Sequence, residues 1–184
     1  LFDGIPAISE PLEFTVQTTG VIDSLWVDNF SFGVGDSYLQ VNGLFRNLSV
    51  WDQLEYQFRV AEVYLTKDDV EIFSGPLNEH QFNALENLQL NGRADGSNDS
   101  LNVDLSLNSP YGRLSLLGSS QLKSPFRYTA SFSGQNVNLA DLITADVDAT
   151  NLTFDVSASG LAKELEDAVM ELDVSVHNST LDGI

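Results

Sequence analysis

The sequence predicts an all-β protein, a largely antiparallel sheet with one apolar and one polar face, built from repeated units and carrying a few short helices. Three observations lead there. Apolar and polar residues alternate over short runs, which puts every apolar side chain of a strand on one face. Turn residues, Gly20, Gly35-Asp36, Gly96-Ser97, Pro110-Tyr111-Gly112 and Gly160, separate those runs. An internal repeat, first seen at an offset of 76 residues from Leu12 to Leu88, orders the rest.

Taken in order, an entry segment covers residues 1–10 and a first β-repeat residues 11–76. Leu12, Phe14 and Val16 open it as a strand. Leu25 and Val27 alternate, and then Phe30, Phe32 and Val34 take the other parity. Either a bulge re-aims the side chains there, or two ordinary strands meet at a tight connection. Leu39 and Val41 begin the next run. Leu54, Tyr56, Phe58 and Val60 give way to Ala61, Val63 and Leu65, a second change of phase. Thr66 caps a short predicted helix running to Ile72, with Asp68 and Asp69 in its first turn, where carboxylates suit the helix dipole.

A second β-repeat covers residues 85–146. It contains Leu88 and Leu90, then Leu101, Val103, Leu105 and Leu107, then Leu114 and Leu116, then Phe132. Asn138 caps a second predicted helix through Ile143. A partial third repeat covers residues 150–184, with Leu152, Phe154 and Val156, a helical turn expected over Leu161–Asp167, and Met170, Leu172, Val174 and Val176. Gly20, Asp23, Ser24, Leu25 and Val27 fall on Gly96, Asp99, Ser100, Leu101 and Val103. The offset then slips to 75 at Leu39 and Leu114, and to 72 at Tyr56 and Tyr128. The whole is expected to be one continuous domain of a longer protein, with its targeting sequence elsewhere.

Composition removes several functions. Eight Lys+Arg against 27 Asp+Glu give a net charge of −19, which repels nucleic acid and anionic membrane surfaces. With no Cys there are no disulfides, thiolate metal sites or Cys nucleophiles. No run of about 18 apolar residues exists to cross a membrane as a helix. Hydrophobic residues at 42% and charged residues at 19% are a globular composition.

Catalysis finds little to stand on. His80 and His177 lie far apart in polar stretches and read as solvated. No Gly-x-Ser-x-Gly elbow occurs. The carboxylate pairs Asp68-Asp69 and Glu164/Glu166 read as cap or surface groups. Asp95-Gly96-Ser97-Asn98-Asp99 offers oxygen ligands to Ca²⁺ but matches no calcium-loop spacing, so a plain turn is preferred. No enzyme activity, cofactor or metal is expected. The sequons at Asn29, Asn47, Asn98, Asn151 and Asn178 matter only in a secreted eukaryotic chain.

The recurring order of parts carries a resemblance. Gly followed by Asp-Ser-Leu, alternating Leu/Val, a strand ending in Gly, an aromatic strand and Asn-Leu-Ala-Asp-Leu is clearest in Leu101–Leu107, Pro125–Tyr128 and Asn138–Leu142. It resembles the repeats of the TamB/AsmA-like superfamily of diderm bacteria. The resemblance implies a long curved sheet folded into a taco-like groove, or opened as a β-sandwich. It implies a periplasmic segment of an inner-membrane-anchored protein that meets an outer-membrane barrel partner through another part. The cargo it implies is phospholipid acyl chains on the apolar face, or unfolded outer-membrane protein strands. The groove would be lined by the apolar residues of the runs above, with Asp28 and Asp104 facing water. Two rivals stand beside it. One is a spacer whose apolar face is covered. The other is an extracellular carbohydrate-binding or adhesin β-sandwich, which predicts exposed Trp26 and Trp51, although both lie in or beside alternating runs where burial is at least as well motivated.

Overall fold

The computed structural model describes residues 11–74, 88–138, 149–162 and 169–182. Its strands are β1 Leu12–Val21, β2 Ser24–Val34, β3 Ser37–Arg46, β4 Glu55–Tyr64, β5 Gln89–Ser97, β6 Ser100–Ser109, β7 Gly112–Gln121, β8 Phe126–Val137, β9 Ala149–Ala162 and β10 Val169–Asp182. All ten form one open antiparallel sheet in sequence order, each strand bonded to its chain neighbours, with β1 and β10 as free edges. Four strands and the helix α1 (Lys67–Ser74) fall in the first repeat interval, four strands in the second, and β9 and β10 make up the third.

Both phase changes in the first unit are bulges. In β2, Asp28 and Asn29 together oppose Asn42, since Val27 pairs Gly43 and Phe30 pairs Val41. In β4, Ala61 is the extra residue between Val60, which pairs Val41, and Glu62, which pairs Gln40. Each extra residue inverts the sequence parity while keeping the apolar side chains on one face. Two further bulges escaped the sequence reading, at Gln135-Asn136 in β8 and at Asn178-Ser179 in β10. Asn136 and Asn178 adopt φ of 52° and 27°, a region that Asn tolerates better than most residues.

Several expectations need correction. Gly160 is not a turn residue but lies inside β9, opposite Tyr128 on one side and Met170 on the other. Alanine there would drive its Cβ into the Tyr128 ring, so the glycine makes room for an aromatic from the next strand. Gly96 likewise lies within β5, opposite Tyr56, where a Cβ would collide with the Ser100 carbonyl oxygen and stand 2.8 Å from the Tyr56 hydroxyl. Leu161 and Ala162 end β9 rather than starting a helical turn; residues 163–168 lie outside the described residues, as does the helix expected after Asn138. A short 3-10 turn, Trp51–Gln53, was not foreseen.

Little of this sheet is buried. Among the described residues the buried hydrophobic side chains are Val27, Val34, Leu44, Leu54, Val137 and Ala162. The chain exposes 12403 Å², against about 8700 Å² expected of a compact monomer of its mass. Among the described residues there is no second sheet to explain where the apolar face would be covered. What holds the layer together is the backbone ladder and its cross-strand pairs, including the ring pairs Phe14–Phe30, Phe45–Phe58 and Phe132–Phe154 at 5.1, 5.1 and 5.4 Å.

Candidate functional site: an apolar row across ten strands

Partners directly opposite on neighbouring strands share a face, so the register assigns every strand residue to one side. One row runs Val16–Phe30–Val41–Val60 across β1 to β4. It continues as Gly92–Leu105–Leu116–Phe132–Val156–Val174 across β5 to β10. Gly92 is the join between the two units. A Cβ there would stand 2.7 Å from Leu105 Cδ2 and 2.9 Å from Val60 Cγ2, so those two side chains close over the glycine and the row is not interrupted. At about 4.8 Å per strand, nine intervals make this row roughly 43 Å long.

The other sequence-derived groove residues lie on the same face. Leu90, Leu107, Leu114, Phe154 and Val176 form a neighbouring row with Gly134. Val103 pairs Ala94 and Gly118, and Leu172 closes that row in β10 through Ala130 and Ala158. Leu101 and Met170 share a row with Tyr128 and Gly160. In the first unit Leu12 lines up with Val34 and Ser37, Phe14 with Phe32 and Leu39, Leu25 with Phe45 and Val27 with Gly43. Leu152 joins through Val137, past the β8 bulge. Leu88 stands just before β5 and outside the ladder. Phe30, Phe32 and Val60 belong to the face as fully as any of these. The parity change hid them, and Asp28-Asn29 and Ala61, the polar or small residues at each change, were the available signal.

Exposure varies along the face. On the edges, Phe14 is 65% and Val174 60% exposed, whereas Leu105 and Leu116 in the centre are half-buried by their neighbours. Beside α1, Phe32, Val34, Leu39, Val63, Leu65 and Val70 line an apolar recess of about 310 Å³. Thr66 caps α1 as expected, accepting from the Asp69 amide at 3.4 Å. Asp69 does more than cap. Its buried carboxylate accepts from Thr66 Oγ1 at 2.6 Å and from the Asp36 and Ser37 amides at 3.0 and 2.8 Å, tying the helix to the β2–β3 turn. The Thr66 hydroxyl, then the Ser37 and Asp36 groups, hold its pKa below the usual carboxylate value against the opposing effect of burial. Gly35 in that turn has φ of +57°, and a Cβ would meet the Asp69 carboxylate.

The opposite face is polar. Ser, Thr, Asn and charged residues from β5 to β10, among them Arg93, Asp104, Ser131 and Asp173, line a shallow recess of about 560 Å³. Asp104 is exposed there, as is Asp28 in the first unit. Asp95 meets Arg93 Nε at 3.2 Å and Asn102 at 3.1 Å, and Asp99 meets Lys123 at 2.5 Å. Asp95 lies in β5, only Asn98 and Asp99 form the β5–β6 turn, and both carboxylates face basic or amide partners. His177 lies 3.0 Å from Asp155, both exposed. Among the described residues no three His, Asp or Glu side chains converge on a metal-sized site. Of the two alternatives for the tryptophans, exposure holds: Trp26 is 54% and Trp51 70% exposed, because Trp26 faces the polar side of β2 and Trp51 sits on the 3-10 turn.

Compared with protein-family models, curated proteins and solved structures, the chain matches none.

Proposed function

We propose that the apolar face carries the acyl chains of phospholipids, non-enzymatically, in a periplasmic segment of a TamB-like protein. One observation carries this reading: an apolar row crosses all ten strands, and nothing among the described residues covers it. Soluble proteins rarely leave a continuous apolar patch of more than a few hundred Å² in water. Acyl chains are the simplest cover for a long, smooth strip. Each methylene transferred from water gains about 0.8 kcal/mol, and a row without polar breaks gives a sliding chain no preferred stopping point. The carboxylates of the opposite face keep so thin a layer in solution. The place between two membranes rests on the sequence resemblance alone.

The same face or a free edge strand would also suit an unfolded outer-membrane strand, joining by β-augmentation. A β-sandwich adhesin requires a second sheet, and all ten described strands belong to one.

The test is paired photocrosslinking in cells, with the full-length protein carrying a photoreactive residue at Val103 or at its neighbour Asp104. Val103 lies on the apolar face and Asp104 on the polar one, opposite Arg93. Phospholipid is expected on the Val103 product alone. Polypeptide at Val103 in its place would turn the reading to strand chaperoning. No crosslink at either position, with both probes shown to react, would make the face a closed core.

A further inference from the structure

The polar face is not uniform, and its first unit carries a feature that the lipid reading leaves unused. There the row Trp26–Leu44–Gln57 runs beside the row Asp28–Asn42–Arg59, and together they enclose a recess of about 270 Å³. Leu44 is buried in its floor, and the indole beside it is more than half exposed. Among the described residues, the side chains of Asp28, Asn42, Gln57 and Arg59 make no hydrogen bond or ion pair with the rest of the protein. Arg59 also stands directly opposite Arg93, a like-charge pairing that works against the sheet.

The repeat supplies an internal control. At the equivalent positions the second unit has Asn102, Asp104, Leu117, Ser119, Thr129 and Ser131. Only the aspartate is kept. The same four-strand arrangement forms without an indole, a guanidinium or either amide at these places, so the fold does not require them.

From this set we infer that the recess is a saccharide-binding site. A flat indole offers an apolar surface to the C–H face of a pyranose ring. Asp28 accepts from hydroxyls, Arg59 donates through its fork, and Asn42 and Gln57 do both, which suits a ring whose every hydroxyl is donor and acceptor. One carboxylate and one guanidinium leave the recess without net charge, so its ligand is a neutral sugar. Its volume is at the small end for ligand sites and fits about one ring, with the chain free to continue along the polar face. The site lies on the side opposite the acyl row, and neither inference depends on the other.

The chain's two tryptophans make the experiment direct, because Trp51→Phe leaves Trp26 as the only indole. Emission is followed while this variant is titrated with cellotetraose, chitotetraose and maltotetraose. A saturable change with at least one of them is expected, weakened about tenfold, equivalent to about 1.4 kcal/mol, by Arg59→Ala. Circular dichroism should be unaltered by either substitution. The heat of titration of the unmodified chain against Trp26→Ala gives the same comparison should Trp51→Phe fail to fold. The absence of a saturable signal with all three sugars would overturn the site. So would equal binding by Trp26→Ala and the unmodified chain.

Discussion

The first and second units follow one plan and differ in how strictly they keep it. The second unit pairs without a break in register until the Gln135-Asn136 bulge of β8, while in the first β2 and β4 each carry an extra residue. The bulge in β2 accounts for the one-residue slip in the repeat. Val27 and Val103 are 76 apart, Phe30 and Leu105 are 75 apart, and the turn after each strand has the same length. The next slip, to 72, is the longer β3–β4 connection, which holds the 3-10 turn and Trp51. The first unit spends its irregularities on distinct local features: a helix latched to a turn, and a polar recess with an exposed indole. The second is the plain version, with short Ser and Thr side chains in the same places. A β-repeat can therefore absorb single insertions and keep its apolar face, provided each insertion is taken up as a bulge.

The sharpest test of that contrast uses two equivalent glycines. Gly43 pairs Phe58, and a Cβ on it would press on the Phe58 ring and stand 2.5 Å from the Gln57 carbonyl oxygen. Gly118 has nothing nearer than the Thr129 carbonyl at 3.8 Å. Gly43→Ala is expected to destabilise by about 2 kcal/mol through overpacking. Gly118→Ala should be neutral or should stabilise by about 0.5 kcal/mol, since alanine loses less entropy in a strand. Urea unfolding of the two variants measures this, and equal effects would mean that the two units pack alike.

The next largest effect concerns the latch. Asp69→Ala removes the acceptor for Thr66, Asp36 and Ser37 and should cost about 1–2 kcal/mol. Because the folded carboxyl titrates below its unfolded value, its contribution is present above the unfolded pKa. It is lost as pH falls through that value toward the lower folded one. Unfolding curves between neutral and strongly acid pH should therefore converge for the unmodified chain and Asp69→Asn. Curves that stay parallel to the acid limit would show that the latch contributes nothing through ionisation.

The smallest effect lies at the join between units. Arg59→Glu replaces a like-charge pair opposite Arg93 with an opposite-charge pair and should stabilise by a few tenths of a kcal/mol, less at high salt. A destabilisation on thermal melting would mean that Arg59 supports the sheet and is not reserved for a ligand.

Much of the apolar face was legible before the structure. Leu101, Val103, Leu105 and Leu107 alternate without fault, and in an antiparallel strand that settles their side. Thr66 and Asp69 three residues apart announced the start of α1. The bulged segments were legible only as a break in parity, since a bulge and two short strands leave the same trace in a sequence. The bulges at Asn136 and Asn178 left no such trace, because the residues around them are polar on both sides. The sequence leaves Trp26 open between burial and exposure, because an aromatic in an alternating run is ordinarily core, while this one occupies the other parity.

The sequence by itself determined the strands, the repeat, the polarity of each face and the first helix, because these follow from local periodicity and cap chemistry. Register and neighbourhood came only from the tertiary structure. It set Val60 and Leu105 over Gly92 to join two half-rows into one, and it brought Trp26, Asp28, Asn42, Gln57 and Arg59 from three strands to one recess. Such contacts link residues far apart in the chain, and only the pairing of whole strands fixes which of them meet.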